Sequence, residues 1–246
     1  MALSSNTLIH FTNCKEALKG ILENNFKLKY CRETIYLNEL TETLHIPMVS
    51  FCDIPLSQIK NHIASYGHYG IGLSREWAIR NKLNPVLYIQ AKSNLSKSYE
   101  ELIRHLHSIK TKNPGDSDAH TMASDIVRYI KNYEAPLNRK DSITEKYRFS
   151  DEREWRYVPD RDEDCEMLYT SDQFNKIGAR EANIGLTEIR LEFDPDDIKY
   201  IIIKSDAEIK EFIEHLRSSK GEKYSYRQIE KLTTRLLTSE QIHSDI

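Results

Sequence analysis

Residues 149–159 read FSDEREWRYVP. Three acids, Asp151, Glu152 and Glu154, and two arginines run directly into Trp155, Tyr157 and Val158, which are strand-forming residues. In a strand, residues two apart point to the same face, so Glu152 and Glu154 project together. Trp155 and Tyr157 alternate with the charges. The face they occupy reads as buried, and the acids then face solvent or a cleft. The bland alternative is a charged sheet edge with alternating ion pairs, which is common.

Working outward, short strands alternate with short helices on the N-terminal side. The segment 7–12 (TLIHFT) is a short buried strand, with Asn13 a plausible N-cap for the helix that follows. Residues 46–52 (IPMVSFC) form a second apolar run. Asp53-Ile54-Pro55 then opens a helix with Leu56, Ile59 and Ile63 on one face. Residues 69–74 (YGIGLS) are a glycine-rich strand, and Ser74 caps a further helix. Residues 93–148 are polar and helical, with a loop at 112–118, and read as an insertion. Strands resume at 154–158, 187–193 and 198–203. An amphipathic helix and a peripheral C-terminal helix at about 222–246 follow. These elements predict one α+β domain spanning 1–246, with a helical insertion at about 93–148.

Composition narrows the function. The chain has 246 residues, 39% hydrophobic and 30% charged, with net charge −3. That excludes a globally basic nucleic-acid coat. No apolar run approaches the roughly 20 residues of a spanning helix, so no membrane partner is expected. The start, MALSSNTLIHFTN, lacks a basic n-region and a long apolar h-region, which predicts no secretion signal. Cys14, Cys31, Cys52 and Cys165 have no CxxC spacing, which fits a reducing cytoplasm rather than a zinc knuckle. His105 and His107 lie two apart on a helix and do not share a face, so no metal centre is expected. There is no Walker loop and no GxSxG. Lys27, Lys29, Arg32, Lys110, Lys112, Arg139, Lys140, Lys146 and Arg148 are scattered, as on a solvated surface. A nucleic-acid acceptor would use some of them for phosphate contacts.

The blocks LIHFTNCKEALKGIL, IPMVSFCDIPLSQIKNHIASYGHYGIGLSREW, NPVLYI and FSDEREWRYVP occur in order. Through them the chain resembles the AbiGi family of abortive phage resistance proteins, whose members are also labelled antitoxins. More distantly, His10 in the first strand, Tyr69-Gly70-Ile71-Gly72 in the middle strand and Glu152-Arg153-Glu154 resemble the His-Tyr-Glu type of mono-ADP-ribosyltransferase.

That second resemblance implies a split mixed sheet with flanking helices and NAD as a substrate. Breaking the nicotinamide–ribose bond develops positive charge on the sugar, which a carboxylate beside it stabilises. The resemblance gives that role to Glu154, with Glu152 orienting or deprotonating the acceptor. It places His10 on the adenosine-side ribose and the backbone of Phe11 or Thr12 on the nicotinamide amide. Tyr69 stacks on the ring, with Tyr66 as the alternate, and Ser50 and Phe51 line the cleft. The implied function is an NAD-dependent ADP-ribosyltransferase toxin of a phage-defence system. Its acceptor is RNA, other nucleic acid or protein, and its own partner is an antitoxin or chaperone. The alternative is a non-catalytic antitoxin or phage-sensing binding protein. A third reading is a nuclease in which Asp151, Glu152 and Glu154 hold magnesium.

Overall fold

The structure is a computed structural model that describes residues 5–112, 118–139, 142–221 and 224–245. The chain divides into two compact units. The first comprises Met1–Lys27, Ser50–Leu83 and Arg190–Ile246, and the second Leu28–Val49 and Asn84–Ile189. Residues 93–148 therefore group with 28–49 and 149–189 in one packed body.

In the first unit, strand Thr7–Thr12 pairs antiparallel with Tyr69–Ser74 along its whole length, from Thr7↔Ser74 to Thr12↔Tyr69. Tyr69–Ser74 pairs antiparallel with Ile198–Ile203. On the other side of Thr7–Thr12, Ile9 meets Cys52. Leu236–Thr238 lies parallel to Ile201–Ile203, which makes the sheet mixed. The fold class is α+β, as the sequence predicts. Leu8, Ile9, Ile71, Leu73 and Ile201–Ile203 are buried, so these strands are covered on both faces. That is why they read as continuous apolar runs.

On one face, Ile9 and Ile202 join Ile59, Ile63 and Ile242 in a single cluster. Gly72 makes room on that side: a Cβ there would sit 2.4 Å from the Tyr200 ring. The other face lies under helices Lys15–Asn24 and Ile209–Lys220, which bury Leu18, Leu22, Phe212 and Leu216. Ser74 caps the helix Arg75–Arg80 by accepting from the Trp77 N–H at 3.1 Å.

The second unit is built on a hairpin. Strand Lys29–Tyr36 pairs with the first residues of Thr41–Cys52, in register from Lys29↔Met48 to Tyr36↔Thr41. Tyr169–Thr170 lies on the other side of Thr41–Cys52. Leu87–Ile89 runs parallel to Ile130–Asn132, and Glu154–Tyr157 pairs with Asn84–Pro85. Helices Asn94–Lys112 and Asp118–Val127 complete a core that includes Ile35, Leu44, Ile46, Tyr99, Val127 and Ile130.

Three expectations need correction. The segment 93–148 is helical only as far as Val127. Strands Ile130–Asn132, Ala135–Arg139 and Ser142–Tyr147 follow, because alternation sets in there: Ile130 and Asn132 are buried and Tyr133 is exposed. Residues 113–117 of the expected loop lie outside the described residues.

The C-terminal segment is neither one helix nor peripheral. It forms helix Tyr226–Thr233, strand Leu236–Thr238 and helix Ser239–Asp245. The break is fixed by Thr238, whose hydroxyl accepts from the Gln241 N–H while the Gln241 side chain accepts from the Thr238 N–H, both at 3.1 Å. Ile229, Leu232 and Ile242 are buried. Finally, the expected strand 187–193 is reduced to Arg190–Leu191, because a turn joining the Ile189 N–H to the Leu186 carbonyl takes up its start.

Candidate functional site

The acids that drew attention in the sequence sit in a charged knot inside the second unit. Glu152 ends the short 3₁₀ turn Phe149–Glu152. Arg153 follows with φ 45°, a left-handed conformation that reorients the chain before strand Glu154–Tyr157 begins. Glu152 and Glu154 therefore do not share one strand face by simple alternation. Both carboxylates nevertheless reach Lys131, at 3.6 Å and 2.8 Å. Lys131 comes from strand Ile130–Asn132, and its ammonium also lies 4.8 Å from the centre of the Phe149 ring.

The alternation in Glu154–Tyr157 runs opposite to expectation. Glu154 and Arg156 are the buried residues, and Trp155 and Tyr157 are half-buried. Arg156, fully buried, donates from Nε to Glu154 Oε1 at 2.6 Å and lies 3.2 Å from Glu33 Oε1. It also donates to the Arg128 carbonyl at 2.9 Å. The charged face is inside because it is neutralised there: Glu33, Glu152 and Glu154 surround Lys131 and Arg156. Burial works against the Glu154 anion, but Arg156 and Lys131 outweigh it and hold the carboxyl well below its ordinary value. The same pairing, against the effect of burial, holds Lys131 and Arg156 above theirs.

The remaining sequence-predicted residues belong to the first unit. His10, Thr12 and Tyr69 share a sheet face, with Thr12 directly opposite Tyr69 and His10 opposite Ile71. His10 Nδ1 lies 2.9 Å from the Ser50 carbonyl, which places the proton on that nitrogen. Its ring meets Phe26 edge-on at 5.3 Å and Phe51 at 5.7 Å, within an aromatic cluster that also holds Trp77 and Phe193. Burial holds the His10 imidazole below its ordinary value, although the Ser50 contact opposes this. Phe11 points to the other face, beside Ile9. The Thr12 hydroxyl accepts from the Cys14 N–H at 3.3 Å.

Tyr69 donates its hydroxyl to Glu208 at 3.0 Å and stacks on Phe212, and its phenol is pushed up to about 12 by burial and by Glu208. Tyr66 is exposed and stacks on His62. Within this unit, His10 and Tyr69 are thus occupied by protein partners beneath the helices that cover their face.

The sequence reading did not single out Glu33, Lys131 or Arg156 as site residues. Among the described residues, no group of three or more His, Cys, Asp or Glu side chains is placed to hold a metal ion. No described helix is long and apolar enough to cross a membrane.

Residues 24–204 match the sequence model of a family described as "Putative abortive phage resistance protein AbiGi, antitoxin". A protein of Lactococcus lactis subsp. cremoris named "Abortive phage resistance protein AbiGi" is 29% identical over 247 residues, covering 91% of this chain and 96% of that protein. No solved structure matches the chain.

Proposed function

Given that the chain belongs to the AbiGi family of abortive phage resistance proteins, we propose that it acts in phage defence as a non-catalytic antitoxin, working by binding a partner. The observation that carries this reading is the closed ion cluster around Glu154. A carboxylate that stabilises a developing sugar cation has to present uncompensated charge to that cation. Here Lys131 at 2.8 Å and Arg156 at 2.6 Å already claim both oxygens of the one acid best suited to the task. The residue acts as an internal counter-ion that ties strand Glu154–Tyr157 to strand Ile130–Asn132. The family description, which includes the word antitoxin, supports the same side.

The competing reading is an ADP-ribosyltransferase toxin with a transferase-like split sheet, and it requires the opposite behaviour in cells. Expression of the chain alone should leave growth unchanged, and the purified protein should release no nicotinamide from NAD. Co-expression should restore growth to cells carrying a separately inducible toxin gene from the same defence locus. Growth arrest by the chain alone, accompanied by nicotinamide release and lost in Glu154→Gln, would establish the toxin instead.

A further inference from the structure

A cavity of about 590 Å³ opens inside the second unit. Its walls come from the tip of the Lys29–Tyr36 hairpin, the helices Asn94–Lys112 and Asp118–Val127, and the segment around Leu168. The floor is apolar and buried, formed by residues such as Ile35, Leu44, Tyr99 and Val127. The polar atom that Tyr99 brings there is already used, because its hydroxyl donates to the Ala123 carbonyl at 2.9 Å. The floor therefore favours an apolar group, since a polar group would lose water there and gain no partner from this hydroxyl.

The wetter part of the lining is mainly acidic. Glu42 and Glu166 are lining residues beside one imidazole, His120, and among the described residues the lining contains no Lys or Arg. Thr170 and Gln173 add neutral hydrogen-bonding groups. An anion such as a nucleotide would meet two carboxylates there, and among the described residues the His120 imidazole is the one lining group able to carry a positive charge.

We propose that this cavity is a binding site for a small organic cation, one with an apolar body that fills the floor and a protonated amine that meets Glu42 and Glu166. The volume falls in the range of sites that enclose a single small molecule. The proposal stands independently of the antitoxin reading, because it rests on the cavity alone.

A matched pair of probes tests it. Titration calorimetry and melting curves with 4-phenylbutylamine and 4-phenylbutyrate keep the apolar body constant and reverse the charge. The amine should bind and raise the melting temperature, and should bind about tenfold more tightly than the carboxylate. The double substitution Glu42→Gln and Glu166→Gln should remove most of that preference. Val127→Phe, which fills the floor, should weaken the amine. If that variant does not fold, Thr121→Trp fills the same cavity from its rim. Absent binding of the amine, equal binding of the two probes, or undiminished binding in the filled variant would each overturn the assignment.

Discussion

Glu154→Gln separates a catalytic carboxylate from a structural one, and its consequence follows from the cluster geometry. The glutamate accepts from Arg156 at 2.6 Å and pairs with Lys131 at 2.8 Å. A glutamine keeps the shape but supplies one acceptor and an NH₂ group, which would point its hydrogens at one of the two cations. Glu33 stays 3.2 Å from Arg156, and Glu152 stays 3.6 Å from Lys131, so neither cation is left bare. The cost should therefore lie near the low end for breaking a buried ion pair, about 3 kcal/mol. For a chain of this size that corresponds to a fall in Tm of about 6–12 °C. Arg156→Met should cost more, about 5 kcal/mol, because it leaves three carboxylates around one lysine and strands the Arg128 carbonyl. The double variant should be little worse than Arg156→Met alone, since both changes break one shared contact.

Acid adds a second signature. The folded-state value of Glu154 lies below the ordinary carboxylate value of 4.5. Its contribution is therefore complete above pH 4.5 and disappears as pH falls through the lower folded-state value. The gap in stability between parent and Glu154→Gln should narrow as the pH is lowered below 4.5. Calorimetric melting of the purified proteins across that range measures both effects. A Glu154→Gln protein melting within about 2 °C of the parent at neutral pH would refute the structural role, given the expected size of the shift.

Other perturbations bear on the first unit. His10→Ala should cost about 1–3 kcal/mol by removing the hydrogen bond to the Ser50 carbonyl and the ring contacts with Phe26 and Phe51, read from the urea midpoint. Because burial holds the folded His10 below 6.5, its contribution is complete above that pH and declines in more acidic solution, so the variant should lose that part of the pH dependence. Ile242→Ala should cost about 2–5 kcal/mol, because Ile242 is fully buried against Ile9, Ile59 and Ile63; a truly peripheral C-terminal helix would show almost no change in melting. Gly67→Ala should lower Tm clearly, since Gly67 has φ 113° and a Cβ there would sit 2.3 Å from the Asn13 backbone; an unchanged melting curve would show that the turn can relax.

Three of the elements whose sequence was apolar on both faces were legible to the residue, whereas the run 46–52 proved to be the end of the longer strand Thr41–Cys52. Thr7–Thr12, Tyr69–Ser74 and Ile198–Ile203 have the bounds that the apolar runs predict, and Ser74 caps its helix as expected. Lys29–Tyr36 was not read as a strand, because Lys29, Arg32 and Glu33 break its apolar pattern; Glu33 turns toward Arg156, a partner more than a hundred residues away. The charged knot was hidden for the same physical reason. Charge in a sequence reads as solvent exposure, and only the fold shows that five charges close on one another.

One part of the knot was nonetheless readable. The period of two that set Glu152 beside Glu154 applies equally to Arg156, which follows Glu154 by two residues on the strand that does form. Carried one step further, that rule puts a cation next to the acid from spacing alone. The acid that a transferase would leave free is, in this chain, preceded by a left-handed residue and followed by its own counter-ion, and under the proposed antitoxin reading that local pairing makes the motif a strut rather than a reacting group.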